Sequence, residues 1–162
     1  MYYSLVDIMF EIGLINELKR KCSSALNEEE VRIATNIFLD KINDDFDVVD
    51  IVKHNEFTLL KGGRVDSVYS NILFEFKTPN KFNSDEGKHE AIYGRDDTDR
   101  GLFHYLINSS IENNDIDDDY FRYLISTKIG VGFDGNRFIF CRFTESNDTI
   151  NIYNPKNYFF TT

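Results

Sequence analysis

The sequence predicts one small domain of the α/β or α+β class. Three features of the pattern lead there. Apolar residues recur at helical spacing in the first quarter of the chain. The period then drops to two around the turn residues Gly62-Gly63 and Ser70-Asn71. After a further helical stretch, two β-rich runs flank an Asp-Gly pair. A length of 162 residues, with 41% hydrophobic and 15% aromatic side chains, supports one sizeable core and is too short for two ordinary domains. The expected division is N-terminal helices over about residues 4–42, a sheet core over about 48–143 and a C-terminal tail over 144–162.

The first helix is expected from about Ser4 to Lys21, with Leu5, Ile8, Met9, Ile12, Ile15 and Leu18 on its apolar side and a basic last turn. Asn27 is a good N-cap for a second helix reaching about Ile42. Three glutamates stand in its first turn, and Val31, Ala34, Ile37, Phe38 and Ile42 share a face. Val48–Val52 and Glu56–Leu60 read as short strands, followed by Arg64–Tyr69 and Ile72–Lys77 about a Ser70-Asn71 turn. Thr78-Pro79-Asn80 ends the last of these. The polar stretch from Lys81 to Asp99 is expected to be a loop or mobile excursion, and Gly101–Ser109 a helix with Leu102, Tyr105 and Leu106 inward. Glu112–Asp119, with five acids and no base, reads as a solvated turn. Tyr123–Val131 and Arg137–Phe143 complete the pattern as strands around Asp134-Gly135.

Composition excludes several classes of function. Eighteen basic residues against 28 acidic ones give a formal charge of -10, which disfavours a broad basic surface for nucleic acid but leaves local basic contacts open. No apolar run has the length of a membrane span, and no signal-peptide pattern opens the chain. Cys22 and Cys141 form no CxxC pair, so no disulfide framework is expected and a reducing cytoplasm is the expected location. His54, His89 and His104 show no zinc-ligand spacing, and Gly62-Gly63 lacks the Lys-Ser/Thr of a P-loop.

The hairpin from Arg64 to Lys77 holds the chemistry. With a two-residue turn at Ser70-Asn71, Tyr69 faces Ile72, Val68 faces Leu73, Ser67 faces Phe74 and Asp66 faces Glu75. Two carboxylates so placed repel each other, and a divalent cation between them reverses the sign of that interaction. Period two puts Lys77 on the face of Glu75 and turns Phe74 and Phe76 toward a core. Carboxylates that hold Mg²⁺, with a lysine that orients or deprotonates a water, make a hydrolytic site for phosphate esters. Arg64 suits either a phosphate contact or an ion pair with Asp66 or Glu75. Glu28 and Arg32 stand at i and i+4, the spacing of an ordinary intrahelical pair.

Gly63-Arg64-Val65-Asp66, eight further residues, then Glu75-Phe76-Lys77 resembles the core motif of PD-(D/E)XK nucleases. In particular it looks like the N-terminal nuclease module of type I and type IIG restriction–modification enzymes. Glu28-Glu29-Glu30-Val31-Arg32 is similar to the upstream acidic helix of those modules, with Glu28 the best match and Glu29 the next. Gly130–Gly135 also looks like their later glycine-rich segment, so the resemblance spans about residues 28–143.

The resemblance implies a restriction-endonuclease-like core, a central mixed sheet of four or five strands flanked by helices. It further implies that Asp66, Glu75 and the backbone carbonyl of Phe76 ligate Mg²⁺, with Mn²⁺ able to substitute. Lys77 would act on the attacking water, and Glu28 would hold a second metal or a bridging water. Many relatives place a Gln four residues before a Tyr on the next helix. Here Tyr105 is present but position 101 is Gly, so Arg100 or His104 would have to substitute.

Arg64, Lys81 and Arg100 are the candidate phosphate contacts, although acids outnumber bases from Lys81 to Arg100. The expected activity is Mg²⁺-dependent endonucleolytic cleavage of DNA in a prokaryotic restriction or defence system, with RNA the other polymer the motif admits. Recognition would come from a protein partner or from recognition and methyltransferase regions absent here; a homodimer is a further expectation. The alternative is a catalytically silent nuclease-like fold that serves assembly or regulation.

Overall fold

In a computed structural model, the change of period along the chain becomes one six-stranded sheet, with strands in sequence order and helices on both faces. The structure describes residues 5–45, 53–58, 64–96, 99–110, 118–144 and 158–161. Two helices come first, α1 (Leu5–Ser24) and α2 (Glu28–Asp45). Asn27 caps α2 as its sequence suggests: its Oδ1 accepts the Glu30 N–H at 3.0 Å, while the Glu30 carboxylate accepts the Leu26 N–H at 2.8 Å. The inward stripe of α1 is Leu14, Leu18 and Cys22, whereas Ile12 and Ile15 are 52% and 44% exposed. Among the described side chains of the helix, those that meet α2 and the sheet are the buried ones.

The sheet consists of β1 (Lys53–Thr58), β2 (Arg64–Tyr69), β3 (Ile72–Phe76), β4 (Ile129–Phe133), β5 (Phe138–Phe143) and β6 (Tyr158–Thr161). All neighbours are antiparallel except β3 and β4, which run parallel and therefore need a crossover between them. The sheet exceeds the expected four or five strands because part of the C-terminal tail pairs along β5 as β6. The expected strand at 48–52 and the Gly62-Gly63 turn lie outside the described residues. Three pairs of the expected β2–β3 register are formed, Ser67 opposite Phe74, Val68 opposite Leu73 and Tyr69 opposite Ile72, but the ladder ends before the expected Asp66–Glu75 pair. Ser70 adopts the positive φ of 51° that primed hairpin turns require.

The crossover from β3 to β4 differs most from the sequence reading. The polar stretch expected to be a loop contains a 3₁₀ turn (Lys81–Asn83) and α3 (Asp85–Tyr93), followed by α4 (Leu102–Ser109). Ser84 caps α3 by accepting the Gly87 N–H at 3.1 Å. The expected strand beginning at Tyr123 is instead helical until Ser126, within α5 (Asp118–Ser126), where Phe121 and Ile125 are buried at i and i+4. Tyr-Leu-Ile has strand propensity, but packing of that pair against the core decides the outcome. Asp118 and Asp119 of the expected acidic turn open this helix, and residues 111–117 lie outside the described set.

Each face of the sheet has its own core. Phe74 and Phe76 of β3, with Val131 and Phe133 of β4, pack under Leu18, Cys22, Val31 and Ala34 of α1 and α2. Leu73, Ile139 and Cys141 pack on the other side against Leu102, Leu106, Phe121 and Ile125. Asp134, fully buried at the β4–β5 turn, accepts the N–H groups of Phe82, Asn136 and Arg137 at 2.8, 3.0 and 2.7 Å. It thereby ties the 3₁₀ turn to the sheet. Asp134→Ala leaves those donors without their acceptor and is expected to cost at least about 3 kcal/mol, read as a lowered urea midpoint. Among the described residues, no helix is long and apolar enough to cross a membrane.

Candidate active site

The carboxyl end of β3, beside the end of its parallel neighbour β4, opens into a polar cleft of about 510 Å³. Strand alternation supplies its floor. Leu73, Glu75 and Lys77 point to one side of the sheet while Phe74 and Phe76 point into the core beneath α1 and α2. Lys77 follows the strand, and its N–H continues the ladder by donating to the Phe133 carbonyl at 3.0 Å. Asp66 and Arg64 reach the same cleft from β2, and Glu28 reaches it from the first turn of α2.

Near Asp66 the two strands of the hairpin separate. Their register runs as far as Ser67 and Phe74, and beyond it the Phe76 N–H donates to Asp66 Oδ2 at 2.7 Å. One carboxylate oxygen is thus committed to the backbone, which fixes the side chain where Glu75 also emerges. The ammonium of Lys77 lies 2.7 Å from Glu75 Oε1, and both side chains are buried.

The electrostatics follow from crowding acids out of water. Burial pushes the Glu75 carboxyl up to about 8, and the Asp66 charge adds to this against the pull of Lys77. Asp66 is also raised by burial, opposed by the Phe76 N–H and by the positive charges of Lys77, Arg32 and Arg64. Glu28 is raised by burial too, and Lys77 only partly offsets this. Burial works against the Lys77 charge, but Glu75, Glu28 and Asp99 together outweigh it and hold the ammonium protonated above its ordinary range.

Glu28 and Glu29 part company here. Arg32 grips Glu29 with two bonds of 2.8 and 2.7 Å, so the intrahelical pair is Glu29–Arg32 rather than the expected Glu28–Arg32. Glu28 is turned toward the charges of Lys77 and Asp66. Lys81 lines the cleft as expected, whereas Arg100 lines a neighbouring hollow with His104 and Phe103. Two cleft residues did not stand out in the sequence as site residues, Glu90 and Asp99; they join Arg95, one of the basic residues the sequence puts near the site, and Tyr105, the tyrosine of the helix after the motif. The phenol of Tyr105 is raised by burial and by the nearby carboxylates Glu75 and Asp66, so it stays protonated. The signal for the first of these was the Ser84-Asp85-Glu86 start of a helix, which would have carried Glu90 toward β3.

The donors available to a cation are carboxylate and carbonyl oxygens, a hard set that suits Mg²⁺ or Mn²⁺ better than a thiophilic metal. Among the described residues, no three His, Cys, Asp or Glu side chains already converge at ligating distance. No family model matches the chain, and no curated protein or solved structure matches it either.

Proposed function

We propose that this chain is a metal-dependent phosphodiesterase of the PD-(D/E)XK type, with a restriction-endonuclease-like core, acting as a DNA endonuclease domain in a cytoplasmic restriction or defence system. The observation that carries this reading is the meeting of Asp66, Glu75 and Lys77 in one cleft at the carboxyl end of β3, with Glu28 brought to them from α2. A purely structural surface has no use for three carboxylates gathered in one cleft and raised by burial, two of them, Glu28 and Glu75, also by neighbouring carboxylate charge. A divalent cation removes that conflict. Asp66 and Glu75, with the Phe76 carbonyl, would hold it, and Glu28 would hold a second ion or a bridging water. When bound, the cation supplies Lewis-acid polarisation of the phosphate and a water of lowered pKa.

The chain's own residues would do the rest. Lys77, held protonated, orients the attacking water through its N–H donors and balances charge as the phosphorane develops. Arg64 and Lys81, on the cleft wall, bind flanking phosphate oxygens. The net charge of -10 favours a protein partner for recognition, and it is also the observation behind the second reading, a silent fold used in assembly.

Supercoiled plasmid incubated with Mg²⁺ or Mn²⁺ distinguishes these readings, with labelled RNA run in parallel to fix the polymer. The expected result is metal-dependent nicking that falls by about 10²- to 10⁴-fold in Lys77→Ala. Equal nicking by wild type and variant places the activity outside this cleft and ends the proposal.

A further inference from the structure

Next to the carboxylates, the cleft contains three cations gathered around one acid. Glu90 of α3 has a side chain only 14% exposed, with Lys81 Nζ 2.8 Å from Oε2 and Arg95 Nε and Lys77 Nζ 3.8 and 3.9 Å from Oε1. These partners come from three places, the end of β3, the 3₁₀ turn and the segment after α3. That is unlike the i and i+4 pairing of an ordinary helix surface. Lys81 and Arg95 remain 34% and 67% exposed, so a solvent-borne ligand can reach them. The packing that sets the arc is tight. A Cβ on Gly87 would stand 2.1 Å from the Lys81 carbonyl oxygen, so only glycine lets α3 approach the turn this closely.

Lys81 bonds Glu90 directly, whereas Arg95 donates its Nε–H to Asp99 and only flanks the other Glu90 oxygen; side by side, the two cations present the charge and donors that also receive a phosphate. We propose that Lys81 and Arg95 form a binding site for a backbone phosphate of DNA beside the scissile one, and that in the free protein Glu90 occupies its lysine side while Asp99 holds the arginine. The idea rests on the nuclease reading and adds a gate to it. A passing phosphate must displace Glu90, so the idle domain gains little from isolated phosphate contacts and engages DNA firmly only when other contacts hold it in place.

Anisotropy of a short labelled DNA duplex in EDTA tests this without cleavage. Glu90→Gln keeps the shape of the side chain and removes its charge. It is expected to tighten binding about tenfold and to steepen the dependence of log K on log salt by about one unit, as expected when one more phosphate contact is released from competition. Glu86→Gln makes the same charge change on an exposed position of α3 and is expected to shift affinity less than about twofold. Lys81→Met added to Glu90→Gln should return binding to the wild-type level, and Glu90→Ala should repeat the gain with a different side-chain shape.

Unchanged or weaker binding in Glu90→Gln overturns the proposal. So does an equal gain in Glu86→Gln, or a gain seen with inorganic phosphate but not with DNA. Nicking that persists while Glu90→Gln has no effect removes the gate and leaves the hydrolase. A gain in binding without any nicking leaves the phosphate site and removes the hydrolase.

Discussion

Lys77→Met is expected to separate cation binding from catalysis. In the free protein the ammonium sits 2.7 Å from Glu75 Oε1 and compensates the charge of the buried acids. Removing it takes away both a competitor for Glu75 and a positive charge that repels an incoming cation. Mn²⁺ should therefore bind the variant about tenfold more tightly by calorimetry, the size of one partly screened charge interaction. Cleavage should move the other way, falling by about 10²- to 10⁴-fold, because the group that acts on the water is gone. Without metal, the variant should lose about 3 kcal/mol of stability at pH 8, the usual cost of stranding a buried partner. The loss should shrink at pH 5, where Glu75 takes up a proton. A parallel loss of Mn²⁺ binding and cleavage would instead make Lys77 a structural support of the cleft.

Cation affinity should depend steeply on pH. The Glu75 carboxyl ionises near 8 rather than at 4.5, because burial and the neighbouring Asp66 charge oppose its ionisation. A cation must displace that proton, so Mn²⁺ affinity should rise by up to about tenfold per pH unit between pH 5 and 8, then level off. Folding shows the opposite trend. The folded state holds a proton on Glu75 that the unfolded chain has released, so metal-free stability is greatest below 4.5 with respect to this group and declines as pH rises toward 8. Asp66 and Glu28, also raised, act in the same direction, whereas Glu17 is lowered by its bonds to Lys41 and Lys21 and acts only in more acid solution. Thermal melts of wild type and Glu75→Gln across this window should show a decline in the first that is reduced in the second. Saturating Mn²⁺ should restore the wild type at pH 8. A flat wild-type profile would mean that Glu75 is ionised without a cation.

The parts of the site that could be read in the sequence are those that pairing arithmetic controls. A two-residue turn fixes β2 against β3, and alternation then places Asp66, Glu75 and Lys77 on one side while Phe74 and Phe76 enter the core. Arithmetic did not reveal the separation of the strands at Asp66, where a side chain replaces a ladder partner for the Phe76 N–H. The helix that carries Glu90 was missed for a different reason. Its buried residues are Gly87, Ala91 and Ile92, too few and too small to give an apolar period, and its position depends on backbone contact with Lys81. Likewise, only the assembled sheet selects Leu14 and Leu18 of α1 over Ile12 and Ile15. Glu29, equal to Glu28 in the sequence, is set apart by the Arg32 fork, a choice of rotamer that spacing alone does not make.

The central claim is that one cation joins Asp66 and Glu75. Diffraction at the manganese absorption edge, from crystals grown with saturating Mn²⁺ near pH 8, tests it most directly. The account predicts an anomalous peak in the cleft about 2.1 Å from an oxygen of each carboxylate, absent in Glu75→Gln. A peak elsewhere, or none in the wild type at saturation, would contradict it.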